Sequence, residues 1–353
     1  MGMFKDMLGS AESLFRDSVA LDYDYLPKIL KFREIQQKHF ATCIKPLLAG
    51  RNGRNLFVHG APGIGKTAAC RWVLRDLEEE TAEVIPIYIN CWKHNSSFKI
   101  LTEICNLLGI RFIVNKKTSE LFEEVKKVLN KKSVVLVLDE VDKLDDFDLI
   151  YMFLEEIYRK SLFLITNYKE TLGKVDERIM SRFNPEFLEF KPYNGFETKG
   201  ILEERSKYAF VPGVWDSAAF SLVVEKCVEA NDIRAGLYLM RESGNIAEDK
   251  AARKITLEHV KEAVRKADEF TIKDKDDLDE EVQSILEIVK GNSGLKMGDL
   301  FKIYADKGGG MSYKSFSRKI EKLEKGKFIS TAKSTGEGGN ITIVNYEKKL
   351  TEF

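Results

Sequence analysis

Cysteine is scarce in this 353-residue chain, and Cys43, Cys70, Cys91, Cys105 and Cys227 are odd in number, scattered and without a C-x-x-C pair. Such usage suggests reduced, partly buried thiols in a cytosolic protein rather than a disulfide scaffold. Histidine is scarcer still. His39, His59, His94 and His259 show no metal-ligand spacing with one another or with the cysteines, and no structural zinc is expected. No apolar run approaches the length that spans a bilayer, and Met1 to Gly9 lacks a basic start followed by a long apolar core. The expectation is a soluble intracellular protein with no membrane partner. Net charge is absent too, with 56 basic residues against 56 acidic ones, so any surface for nucleic acid must be local. There is no internal repeat and no low-complexity tract.

The length allows two or three domains with their own cores. Short apolar runs, Asn55 to His59, Val84 to Asn90, Ser133 to Leu138 and Ser161 to Thr166, alternate with helical patterns. That alternation predicts a mainly parallel sheet covered by helices. From Phe196 onward the strand signal stops. Glu197 to Ala209, Ser217 to Ala230, Ile233 to Glu248 and Leu257 to Phe270 read as amphipathic helices of a small lid. Lys273 to Asp277 is charge-dense and reads as a linker. Beyond it, helices at Glu281 to Lys290, Lys296 to Ala305 and Tyr313 to Lys325 precede two strands, Phe328 to Ala332 and Ile341 to Tyr346, around the glycine-rich turn Thr335 to Asn340. Three helices and a glycine-tipped hairpin predict a winged-helix module. The predicted domains are therefore 1–194, with the segment 1–54 included, then 195–272, then 277–353.

The most informative segment is Gly60-Ala61-Pro62-Gly63-Ile64-Gly65-Lys66-Thr67, which follows an apolar strand and leads through Ala68 into a helix. Glycines there permit the backbone conformations of an amide cradle around phosphate oxygens, and Pro62 stiffens the turn. Lys66 supplies a charge to the β and γ phosphates, and Thr67 a hydroxyl to Mg²⁺. The helix N-terminus favours the same anion. These residues point to ATP or ADP with Mg²⁺. The run Val134 to Leu138 ends in Asp139-Glu140, two carboxylates at the carboxyl edge of a strand, where such sheets present ligands. Asp139 is predicted to hold Mg²⁺ through water, and Glu140 to polarise the attacking water. Asn167, at the end of the next strand, is predicted to sense the γ-phosphate if that strand neighbours Leu138.

Arg178 and Arg182 stand four apart on one helical face, and a permanently charged guanidinium from either suits a neighbouring subunit's γ-phosphate. Arg182 is favoured; the ordinary alternative is a surface arginine paired with Glu177 or Glu186. Asp232 reads as the N-cap of the helix carrying Arg234, which can fold over the nucleotide and report its state to the lid. In the last module, Lys290 to Lys333 holds eleven basic residues against four acidic ones. Lys314, Ser315, Arg318, Lys319 and Lys322 populate its third helix, and Lys333 lies at the wing. That arrangement predicts duplex DNA binding, with lysines on phosphates and Arg318 placed to read a base edge.

In this order, the phosphate loop, the Asp-Glu strand end, the asparagine, the arginine pair, the lid arginine and the winged helix resemble the archaeal origin-recognition and cell-division-control AAA+ initiators. The resemblance runs nearly end to end. Phe32 to Gln36 looks like the family's segment ahead of the phosphate loop, where the adenine site is partly built, and Phe190 to Tyr193, Arg205, and Ser243 to Glu248 look like later blocks. It implies that the Thr118 to Leu129 helix belongs to an initiator-specific insertion that contacts DNA or deforms it together with the winged helix. Two departures stand out: Asn231 replaces a usual glycine, and Arg182 a frequent serine. The resemblance further implies a slow, switch-type ATPase that binds origin duplex, helps recruit or load the replicative helicase, works with a second initiator subunit and is cytoplasmic and nucleoid-associated. The alternatives are a DNA-bound regulatory or signalling ATPase without helicase loading, and a clamp-loader-like subunit.

Overall fold

Alternating apolar residues decide which face of the sheet each strand covers in a computed structural model that describes residues 13–111, 115–271, 280–325, 328–336 and 339–346. Among these residues the chain separates into two units: 17–209 with 231–237, and the described parts of 1–16, 210–230 and 238–353. The first unit carries α1 (Glu34–Leu48), β1 (Leu56–His59), α2 (Lys66–Glu80), β2 (Val84–Asn90), α3 (Ser97–Leu107), α4 (Thr118–Leu129) and β3 (Ser133–Asp139). It continues through α5 (Asp148–Glu156), β4 (Lys160–Thr166), α6 (Glu177–Phe183), β5 (Glu186–Glu189) and α7 (Gly195–Ala209).

All five strands are parallel, in the order β2-β3-β4-β1-β5. Val135, Val137, Phe163, Ile165, Leu56 and Val58 face α1 and α2, while Leu136, Leu138, Leu162, Leu164 and Phe57 face α3 to α6. Helices on both faces explain why β3 is buried along its whole length and why it is a nearly unbroken apolar run. Each fully buried Phe or Leu contributes about 1.5–3 kcal/mol by leaving water. The sheet is therefore the rigid part from which loops at the strands' carboxyl ends project. Sequence periodicity predicted four of these strands within a residue or two but not β5. Its four residues are half exposed, and Glu186 and Glu189 at its ends carry no strand signal; pairing with β1 alone makes it a strand.

The second unit contains α8 (Ser217–Ala230), most of α9 (Ile233–Asp249) and α10 (Leu257–Thr271). It also contains α11 (Glu280–Gly291), β6 (Leu295–Lys296), α12 (Met297–Asp306), α13 (Tyr313–Lys325), β7 (Ile329–Gly336) and β8 (Gly339–Tyr346). The last six elements build a winged helix: three helices and an antiparallel sheet ordered β6-β8-β7, around Ile285, Leu300, Phe316, Ile320, Leu323 and Val344. Phe316, Ile320 and Leu323 recur at helical spacing, so α13 buries that face and leaves Lys314, Ser315 and Arg318 exposed. The predicted linker, Lys273 to Asp277, lies outside the described residues.

Candidate active site

The phosphate loop bends because three of its glycines occupy positive φ: Gly60 at 150°, Gly63 at 71° and Gly65 at 89°. A side chain at Gly63 would collide with the Asp232 carboxylate, and one at Gly65 would come within 2.6 Å of the Tyr193 hydroxyl. The bends deliver Lys66 and Thr67 to the first turn of α2. Lys66 is 7% exposed. Its Nζ donates to Gly60 O and Ala61 O, both at 2.7 Å, and to Asn167 Oδ1 at 2.8 Å. Burial pulls its pKa down to about 8, with the nearby Arg234 charge working the same way and Asp139 opposing.

Asp139, the last residue of β3, is buried. Its Oδ2 accepts from Thr67 Oγ1 at 2.6 Å and Tyr88 OH at 2.7 Å, while its Oδ1 accepts from Glu140 N at 2.9 Å. Burial, and then the Asp139 charge, pushes the Tyr88 hydroxyl well above its ordinary pKa, so it remains a donor. Glu140 itself is left-handed, with φ 57° and ψ 45°, at the start of the 3-10 turn Val141–Lys143. For a residue other than glycine such a conformation costs of order 1 kcal/mol and is held by its surroundings. Here it turns the chain just beyond the strand, and Glu140 lines the same cavity as Lys66.

β3 and β4 are neighbours, with Leu138 opposite Leu164, so the condition set for Asn167 is met. Arg234 also lines this cavity of about 540 Å³. Asp232 opens α9 as predicted: its Oδ1 accepts from Arg234 N at 2.8 Å. Ile233 N donates to Gly63 O at 3.4 Å, which joins this helix start to the phosphate loop. The cavity's size suits a nucleotide-sized ligand. Lys66 is an ammonium held only by neutral oxygens, and the Thr67 hydroxyl stands beside a carboxylate oxygen; the donor set fits a polyphosphate with a hard divalent cation.

Arg178 and Arg182 are not brought to this cavity. Both are exposed on α6, and Arg182 is paired with Glu155 through Nε and lies 5.1 Å from the Tyr151 ring centre. Its acidic neighbour is thus on α5, not Glu177 or Glu186 as the sequence suggested. Of the candidate DNA-binding residues, Lys314, Ser315 and Arg318 are exposed, while Lys319 Nζ lies 3.6 Å from Glu281 Oε2 on α11. Lys322 lies in α13 and Lys333 in β7.

The resemblance marked the blocks holding Arg33, Tyr193 and Arg205, but sequence reasoning did not foresee the contacts by which they build the cavity. Arg33, 4% exposed, donates through Nη2 to Ile64 O at 2.9 Å and Lys191 O at 2.8 Å, with its guanidinium carbon 3.7 Å from the Tyr193 ring centre. It clamps the phosphate loop to the segment after β5. Arg205 donates to Ala20 O and Tyr25 O, fixing the stretch whose Tyr23, Asp24 and Tyr25 wall the cavity. Their contacts carry no local signature, because the partners are main-chain carbonyls far along the chain.

Residues 50–173 match the AAA domain family, and residues 199–265 match the Cdc6 AAA+ ATPase-type lid domain. The fold and cavity are those of an AAA+ ATPase with a nucleotide-binding site, a helical lid and a winged helix. The chain is 30% identical, over 96% of its length and 94% of the relative's, to ORC1-type DNA replication protein 2 of Methanothermobacter thermautotrophicus. It is likewise 30% identical to ORC1-type DNA replication protein 2 of Archaeoglobus fulgidus, over 95% and 91% of the two chains. A structure of the Aeropyrum pernix ORC1 protein in complex with DNA superposes with TM-score 0.69 and 26% identity, covering 97% of this chain and 98% of that one. The chain belongs to the ORC1-type DNA replication protein family.

Proposed function

We propose that this chain is an ATP-controlled replication initiator that binds origin duplex through its winged helix and helps recruit or load the replicative helicase. The observation that carries the reading is one cavity in which Lys66 bonds Asn167, Thr67 bonds Asp139, and Glu140 and Arg234 are both in the wall. In this reading Gly60 to Ala68 wrap the phosphates, and Thr67 and Asp139 hold Mg²⁺. That ion supplies charge neutralisation at the phosphate oxygens when bound. Tyr88 and Thr67 orient the Asp139 carboxylate. Glu140 takes up a proton from water, with its carboxylate aimed by the left-handed turn. Lys66 and Asn167 form a hydrogen-bonded pair that registers the outermost phosphate. Arg234, set at the start of α9 by Asp232, carries that information into the lid. Arg182, exposed on α6 and paired there with Glu155, serves a second initiator subunit in trans, exchanging that carboxylate for the subunit's phosphate.

In this reading the functional modules are 1–194, 195–272 and 277–353, a division by role that differs from the two packing units. In the last, Lys314, Lys319, Lys322 and Lys333 contact phosphates, and Ser315 and Arg318 face the major groove, a reading supported by the exposed basic side of α13. Such a protein works in the cytoplasm at the nucleoid, and among the described residues no helix is long and apolar enough to cross a membrane. Genome-wide mapping of bound DNA tests the proposal. Enrichment at repeated sites beside replication starts is expected; enrichment only at promoters would favour a DNA-bound regulator.

A further inference from the structure

At the end of β1 away from the phosphate loop, three unlike donor atoms converge. His39 and Cys43 stand four residues apart on one face of α1, and Glu186 opens the edge strand β5 opposite them. His39 Nε2 is 2.8 Å and Cys43 Sγ 3.8 Å from the same oxygen, Glu186 Oε2, and all three donor atoms lie within 4.8 Å of one another. From these atoms we infer a binding site for a borderline-soft divalent cation of the Zn²⁺ class, with His39, Cys43 and Glu186 as protein ligands.

An imidazole, a thiol and a carboxylate are the donor set Zn²⁺ prefers, and three ligands with a fourth position open to solvent is a common arrangement. Tetrahedral coordination at ordinary Zn–N, Zn–O and Zn–S lengths separates donor atoms by about 3.3–3.7 Å, so shifts of about 1 Å or less suffice. A histidine and a second ligand at i and i+4 share a helix face by construction. The surroundings are already organised. Arg54 Nη1 donates to the other carboxylate oxygen, Glu186 Oε1, at 3.0 Å, leaving Oε2 to the cluster. Arg54 N donates to Cys43 O at 2.9 Å, and Glu186 N to Asn55 O at 2.9 Å, so helix, loop and edge strand are fixed to one another. Cys43 is fully buried while His39 and Glu186 are partly exposed, which gives a cation an approach from solvent.

Coordination replaces the Cys43 S–H proton with the metal, and that proton leaves to water. Burial and the Glu186 charge otherwise push the thiol up to about 12. A cation here would staple α1 to β5, independently of the nucleotide reading: Glu186 pairs with Leu56, at the opposite end of β1 from Gly60, roughly 13 Å away along the strand. The His39-x-x-x-Cys43 spacing alone is no metal signature, since the third donor lies 143 residues beyond Cys43.

The test is Co²⁺ titration of the metal-free full chain with excess Mg²⁺ present. One equivalent is expected to bind with a thiolate-to-cobalt charge-transfer band, and Zn²⁺ to displace it and raise the Tm by several degrees. His39→Gln, at a partly exposed position, is expected to lose the band and the Tm rise while keeping its circular dichroism. Cys43→Ala should lose the band; if that variant misfolds, His39→Gln alone decides. Absence of a thiolate band in the wild-type chain, or its persistence in His39→Gln, would overturn the site.

Discussion

Nucleotide binding should take up a proton, because the ligand-free site holds Lys66 at the edge of neutrality. Its ammonium is buried among carbonyl and amide oxygens, and its pKa falls from 10.5 to about 8. A polyphosphate accepting a hydrogen bond from Nζ restores the charged form. With a folded, ligand-free pKa of about 8, the neutral fraction is about 0.1 at pH 7, about 0.5 at pH 8 and about 0.75 at pH 8.5. Those fractions are the protons taken up on binding. The complex holds more protons than the free protein, so log affinity falls as pH rises, with a slope near −0.5 at pH 8. ADP with Mg²⁺ is the suitable ligand, since it avoids turnover and its terminal phosphate is fully ionised above pH 8. Isothermal titration calorimetry in buffers of different ionisation enthalpy reads the uptake directly. Uptake that stays near zero at pH 8.5, with affinity flat from pH 7 to 9, would refute the reasoning.

Two further outcomes follow from the same cavity. Replacing Glu140 with Gln keeps size and hydrogen bonding but removes the proton acceptor, so ATP affinity should be retained while steady-state hydrolysis falls by about 100-fold or more; unchanged turnover would reject the assignment. Gly63→Ala places a side chain at φ 71° and against the Asp232 carboxylate. The left-handed backbone alone costs about 1–2 kcal/mol, so nucleotide binding measured by titration should weaken about tenfold, whereas wild-type affinity would sink the claimed contact.

The strands flanking the loop, the Asp139-Glu140 strand end and the three helices of the winged module were legible because each is written in a local pattern: an apolar run, a glycine spacing, a helical repeat. Ser217–Ala230 and Tyr313–Lys325 even have the boundaries that periodicity predicted. What was illegible depends on distant partners. β5 exists only through β1, and Arg33 matters because Ile64 O and Lys191 O happen to lie within its reach. Tyr88 reads as one more large strand residue until β2 is paired with β3, with Asn90 opposite Asp139. The cluster at Glu186 is hidden for the same reason. Arg182 shows the limit from the other side: the sequence offered Glu177 or Glu186 as its ordinary partner, whereas its neighbour, Glu155, comes from the packing of α5 beside α6.

The central claim is that a triphosphate held at Lys66 is felt by the DNA-binding module. The most direct test is fluorescence anisotropy of a mapped duplex site with the wild-type chain and Lys66→Ala, each with and without Mg·ATP. The account predicts that ATP changes the wild-type affinity while Lys66→Ala keeps its nucleotide-free affinity under both conditions. Wild-type affinity that is the same with and without ATP would contradict it.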